Sequence, residues 1–178
     1  MTQRNNLIFR GLQIIAWIIF VGLSIEAGAL IVNFIYSWFK PEVVSHLYQK
    51  LDMSQMYQRS RWAYFSMYSF ILAISILKAL LFYVVVLLVT KLDLTKPFSS
   101  DVADKITTIS YLTFATGIIS YVARQSAQNL AHRGYEIAPL EPFWADSQAF
   151  LLMAAVIYVI AVIFRNGVEL QNENNLTI

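Results

Sequence analysis

Four stretches of this chain run apolar for much longer than a soluble fold requires. The first extends from Gly11 to Phe39 and is broken by one charge, Glu26. The second runs from Trp62 to Thr90 and holds one charge, Lys78. The third, Ile106 to Val122, and the fourth, Ser147 to Phe164, hold none, and the fourth stops at Arg165. A membrane-spanning helix needs about 20 mostly apolar residues. The two shorter stretches meet that length by extending into the interface, so the predicted spans are 11–39, 62–90, 104–125 and 147–165. The period-two alternation of a membrane barrel is absent. The expected architecture is therefore all-α: a four-helix bundle integral to the membrane, one domain over 1–178, with a polar C-terminal tail at 166–178.

The connections add punctuation. Lys40 to Arg61 contains Pro41 and then a mixture of apolar and polar positions through His46, Tyr48, Leu51 and Met56, which predicts one or two short interfacial helices. Before the third helix comes Pro97-Phe98-Ser99-Ser100-Asp101. Pro97 ends an extended approach, Ser99 or Ser100 is placed to cap the helix, and Asp101 and Asp104 suit the positive end of its dipole. That helix is expected to reach Arg133, with Gly134 as its stop. Pro139 and Pro142 mark the next loop, and Trp144 stands where an interfacial anchor belongs.

Composition agrees with a membrane location. The chain is 58% hydrophobic and 13% charged, about half the charged fraction of a soluble domain. Arg4 and Arg10 precede an apolar stretch too long for the core of a cleavable signal, so it is read as a retained first helix. The net charge of +2 gives no ground for direct nucleic-acid binding. The absence of cysteine excludes disulfides and thiolate metal sites. His46 and His132, with no ligand spacing, make no metal motif, and no nucleophile–base set is recognisable. No cofactor, metal or enzymatic activity is expected. Orientation is poorly determined by charge. Arg4, Arg10, Lys91, Lys96, Lys105 and Arg165 fall on one side, and Lys40, Lys50, Arg59, Arg61, Arg124 and Arg133 on the other, six against six. The basic N-terminus, close to the first helix, favours cytoplasmic termini and a multi-pass protein of the cell's inner membrane.

Within the bilayer an ionised side chain is costly and usually faces a partner or a wet cavity. Counted from the ends of their spans, Glu26 and Lys78 differ in depth by three residues, about 4.5 Å. This predicts an intramembrane ion pair or hydrogen bond. Such a pair either fixes helix packing or handles a ligand, ion or proton. Snorkelling of Lys78 with a protonated Glu26 is the alternative. Small and polar residues form stripes beside them: Gly22, Glu26, Ala29 and Asn33 on the first helix, Ser75 on the second, and Ser110, Thr113, Gly117, Ser120 and Arg124 on the third. Ordinary bundle packing accounts for such stripes. The sharper reading is a polar cavity among the first three helices, with Arg124 at its mouth. In the tail, Glu169 lies one turn beyond Arg165, at the spacing of a weak ion pair. The tail is either a frayed, solvated end or a docking segment.

The tail sequence Gly167-Val168-Glu169-Leu170-Gln171, followed by Glu173 and Leu176-Thr177-Ile178, and the turn Pro97-Phe98-Ser99 resemble two signatures of one bacterial membrane family. Glu26 and Lys78 also fit its pattern. The family is catalogued as domain of unknown function 2975, and the resemblance extends over nearly the whole chain. It implies a four-helix membrane protein without an established activity. Its members are often encoded beside a small helix-turn-helix regulator, which implies a membrane-bound regulator or sensor controlling such a transcription factor. The docking candidates are then Pro97, Phe98, Ser99, Glu169, Gln171 and Glu173. The competing expectation is a transporter or binding protein for a small molecule or ion, working as a homo-oligomer around Glu26, Asn33, Ser75, Lys78 and Arg124.

Overall fold

The computed structural model describes residues 3–45, 47–48, 51–92 and 98–176. Among these the chain is helical without strands. Its order is α1 (Gln3–Phe39), a 3-10 turn (Pro41–Ser45), α2 (Ser54–Arg59), α3 (Arg61–Lys91), α4 (Ser100–His132), a second 3-10 turn (Ala138–Phe143) and α5 (Ser147–Leu176). Helices α1, α3, α4 and α5 are each long and apolar enough to cross a membrane. The protein is thus an all-α bundle with four candidate spans.

Local chemistry explains where the helices start and stop. Ser60 caps α3 by accepting a hydrogen bond from the Ala63 amide at 3.3 Å, and Ser99 caps α4 by accepting from Val102 N at 3.4 Å. At the other end of α4, Gly134 takes φ +78°. Its amide donates to Ala131 O at 2.8 Å and the Tyr135 amide to Leu130 O at 3.1 Å. This reciprocal pattern is a Schellman stop, and it needs the left-handed residue that glycine supplies most cheaply.

The spans form a row, α1–α3–α4–α5, each antiparallel to the next. Helix α1 touches α3 and the first 3-10 turn. Gln13 Nε2 donates to Val89 O at 3.0 Å, Phe20 packs on Tyr83, and the Tyr68 hydroxyl donates to Leu30 O at 3.1 Å. Phe34 stacks on Tyr68 and meets Phe65 edge-on. The most extensive interface is α4 against α5. There the Ser110 hydroxyl donates to Ala154 O at 3.0 Å, and Gly117 lies directly under Leu151. Small and hydroxylated residues permit this close approach without a hydrophobic driving force. The stripe on α4 is therefore a packing seam toward α5.

Burial is unequal along the bundle. One large cluster joins Leu30 of α1, Val44, Leu47, Leu51, Met53 and Met56 of the first connection, Tyr64 to Ile74 of α3, Ala123 and Ala127 of α4, and Leu140 and Trp144. The first connection therefore folds inward over one end of the bundle as a cap. Near the opposite end a much smaller cluster holds Val102, Ile106 and Ala161. Both described chain ends lie on that opposite side. Helix α5 continues to Leu176, so the polar tail is a continuous helical extension through that residue and not the frayed end that was one of its two expected forms. The sequence does not oppose this, because after Arg165 it holds no proline and only one glycine, Gly167.

Candidate functional site

The two charges inside the spans sit at similar depth but on different faces. Interpolating between the Phe20–Tyr83 and Leu30–Tyr68 contacts places Glu26 level with about residue 74 of α3. Lys78 is about four residues further, roughly 6 Å along the axis. The expected Glu26–Lys78 pair is nevertheless not formed. The ion pairs among the described residues are Lys105–Asp101 and Arg165–Asp104. The cause is rotation. Phe65, Tyr68 and Tyr83 direct one face of α3 at α1, and at 100° per residue Lys78 points about 120° away from that face. Its ammonium instead lies 5.7 Å from the centre of the Phe150 ring on α5, within cation–π range. Glu26 occupies a flank of α1, beside the line that packs on α3, and Asn33 shares that flank. Ser75 is buried in α3.

Arg124 lies at the capped end, away from Phe98, and lines a cavity of about 250 Å³ with Gln128, Ile137, Glu141, Trp144 and Ala145. That cavity is built by α4 and the turn preceding α5. The polar cavity expected among the first three spans is thus replaced, for Arg124, by one beside α5.

At the opposite end, two sequence signatures far apart in the chain come together. A Cβ added to Gly167 would meet ring atoms of Phe98 at 2.7 and 2.9 Å. The same ring packs on Phe164, with centroids 5.3 Å apart. Ser99 caps α4 immediately after Phe98, and Arg165 of α5 reaches Asp104 of α4 at 3.3 Å. Arg165 therefore pairs across the helices, and the expected Arg165–Glu169 pair is not the contact it makes. Glu169 and Glu173 are exposed and Gln171 is half-buried. Pro97 lies outside the described residues.

Residues 46–178 match the sequence model of the family described as "Protein of unknown function (DUF2975)". The chain belongs to that family. No curated protein and no solved structure matches it. The matched span contains Lys78, Phe98, Arg124 and the whole of α5, and it begins after α1, so Glu26 and Asn33 precede it. The contact between the Phe98 turn and Gly167 lies within the part of the chain that defines this family.

Sequence reasoning missed the construction of the cap. Arg59 donates to Gly134 O and Arg133 O, both at 2.7 Å, and its guanidinium stacks 4.4 Å from the centre of Tyr135. It ties α2 to the C-terminal stop of α4. Beside it opens a cleft of about 540 Å³, whose lining includes Glu42, Tyr57, Gln58, Arg59 and Arg61. A planar guanidinium suits two carbonyls and a ring at once, yet no local spacing reveals a contact made 75 residues away.

Proposed function

We propose that this DUF2975 protein is a membrane-bound regulator that receives a signal at its capped end or within the bilayer and acts through the opposite end on a small helix-turn-helix transcription factor. One observation carries this reading: the Phe98 turn and the C-terminal helix, separate in sequence, build one continuous surface beyond the spans. Helix α5 projects from that surface with Glu169 exposed on it. A DNA-binding partner is basic where it meets phosphate, and exposed carboxylates on the tail would attract the same groups. In this reading the termini and the Phe98–Gly167 surface are cytoplasmic, and the membrane is the inner membrane of a bacterial cell. The capped end carries the clefts beside Arg59 and Arg124, which suit a polar ligand or a lipid headgroup.

Transport is the alternative. It draws less support, because the groove between α3 and α5 at membrane depth is lined mainly by apolar side chains such as Leu81, Phe82, Val85 and Met153.

The test is a chain ended after Arg165, expressed from its own promoter. The regulator reading expects normal membrane abundance together with the transcript changes seen on deleting the whole gene. Unaltered transcripts with the truncated chain would count against it.

A further inference from the structure

Two features of the membrane-embedded region are incomplete in a single copy. Helix α1 packs on α3 by one face and leaves a flank that carries Gly22, Glu26, Ala29 and Asn33. A Cβ added at Gly22 would meet nothing within 4 Å. Elsewhere, α3 and α5 wall a groove of about 410 Å³ floored by α4, with Phe82 and Val85 on one wall and Phe150 and Met153 on the other. Lys78 stands one turn before Phe82, and its ammonium lies over Phe150 on the facing wall. The α1 flank thus carries a carboxylate and the edge of the groove an ammonium, while Asp146 also lines the groove, one turn before Phe150.

These features match in three respects. Glu26 and Lys78 lie within about 6 Å of one another in depth by the α1–α3 contacts, a difference their side chains can span. They also lie on the same side of the helix row. Viewed from the capped end, Lys78 and Phe82 are turned counterclockwise from the direction of α1 by about 80–120°. On the antiparallel α1, Glu26 is turned clockwise from the direction of α3 by about 80–100°. Both therefore face one side without converging on each other. Finally, α3 and α5 run parallel, so an α1 from another copy would lie antiparallel to both, the same sense in which α1 meets its own α3.

We propose that the chain forms a two-fold dimer about an axis along the membrane normal. In it α1 of each copy seats in the α3–α5 groove of the other, and Glu26 pairs with Lys78 across the interface. Rotation about the normal preserves depth, so a depth difference within side-chain reach is the condition for two such pairs to form at once. The self-complementary exchange of α1 for groove is what a closed two-fold interface requires. Gly22 and Ala29 let the backbone of the incoming helix approach closely. The two charges, each costly alone in lipid, neutralise one another. The dimer is independent of the regulatory reading and holds whether or not a transcription factor is bound.

The chain has no cysteine, so introduced thiols report cleanly. Two differently tagged copies, one Gly22→Cys and one Phe82→Cys, are co-expressed and oxidised in native membranes. The dimer predicts a disulfide joining the two tags, and none when Ser24→Cys, on the opposite flank of α1, replaces Gly22→Cys. In the same assay Glu26→Lys in both copies, or Lys78→Glu in both, lowers the yield about tenfold, the scale of a lost membrane-embedded polar contact. One copy with Glu26→Lys and the other with Lys78→Glu restores it, because both cross-pairs are then re-formed. That rescue also shows that the variants insert and fold. No cross-tag disulfide in the otherwise unchanged chain overturns the proposal. So does a mixed pair that links no better than the single reversals.

Discussion

Arg59 illustrates how much of the cap depends on a single side chain. It satisfies two carbonyls left over at the end of α4 and covers Tyr135. Hydrogen bonds from a charged donor contribute more than neutral ones, although exposure lowers their net value. Arg59→Ala should destabilise the protein by about 1 kcal/mol or somewhat more, read from thermal unfolding in detergent. Gly134→Ala should cost about 1–2 kcal/mol by forcing a side chain into the left-handed region. It also places a Cβ 3.4 Å from the Arg59 guanidinium. Unfolding temperatures unchanged in both variants would mean that this end is not a structural staple. Of these two residues, Gly134 was legible in the sequence, because a glycine after a long helical pattern has one common physical use. Arg59 was not, because its partners are backbone groups brought near only by the completed fold.

At the scale of elements, axial position was readable and rotation was not. Span lengths place Glu26 and Lys78 at similar depth, and the structure agrees. Which way each faces depends on crossing geometry, set by aromatic packing such as Phe20 on Tyr83 and Phe34 on Tyr68. A single sequence shows no unique face when a span is apolar all round. The stripe on α4 carried a clearer message. Gly117 sits under Leu151, where an added Cβ would come within 2.9 Å of the side chain and 3.1 Å of the backbone nitrogen. Gly117→Ala should therefore cost about 1–3 kcal/mol as overpacking, and Gly117→Leu should separate α4 from α5. Adding Leu151→Ala to Gly117→Ala should recover part of the loss, a coupling readable in a double-mutant cycle of detergent unfolding. Strict additivity would show that the two helices do not meet there. A serine cap at 99 or 100 was equally legible, and the fold uses Ser99. The continuation of α5 past Arg165 was not, because polar residues favour helix or solvated coil about equally when nothing else in the sequence holds them.

Across the whole molecule the two ends differ. One is closed by a packed cap with two clefts, and the other presents the Phe98 turn against Gly167 at the base of the projecting α5. Gly167→Leu should displace the Phe98 ring and reproduce the effect of the truncated tail on transcripts while leaving membrane abundance unchanged. An unaltered transcript pattern would remove the Phe98–Gly167 surface from the proposed output. Membership of the family was legible from the Pro97-Phe98-Ser99 turn and the tail, and the fold brings Phe98 of the one against Gly167 of the other. The function that this surface serves is most directly tested by capture of what touches it. The chain, tagged at its N-terminus, is cross-linked in its native host and recovered in mild detergent, beside a version ended after Arg165. The account predicts a small helix-turn-helix protein, identified by mass spectrometry, with the full chain and its absence with the shortened one. Recovery of the protein alone, or of the same partner with both versions, would contradict it.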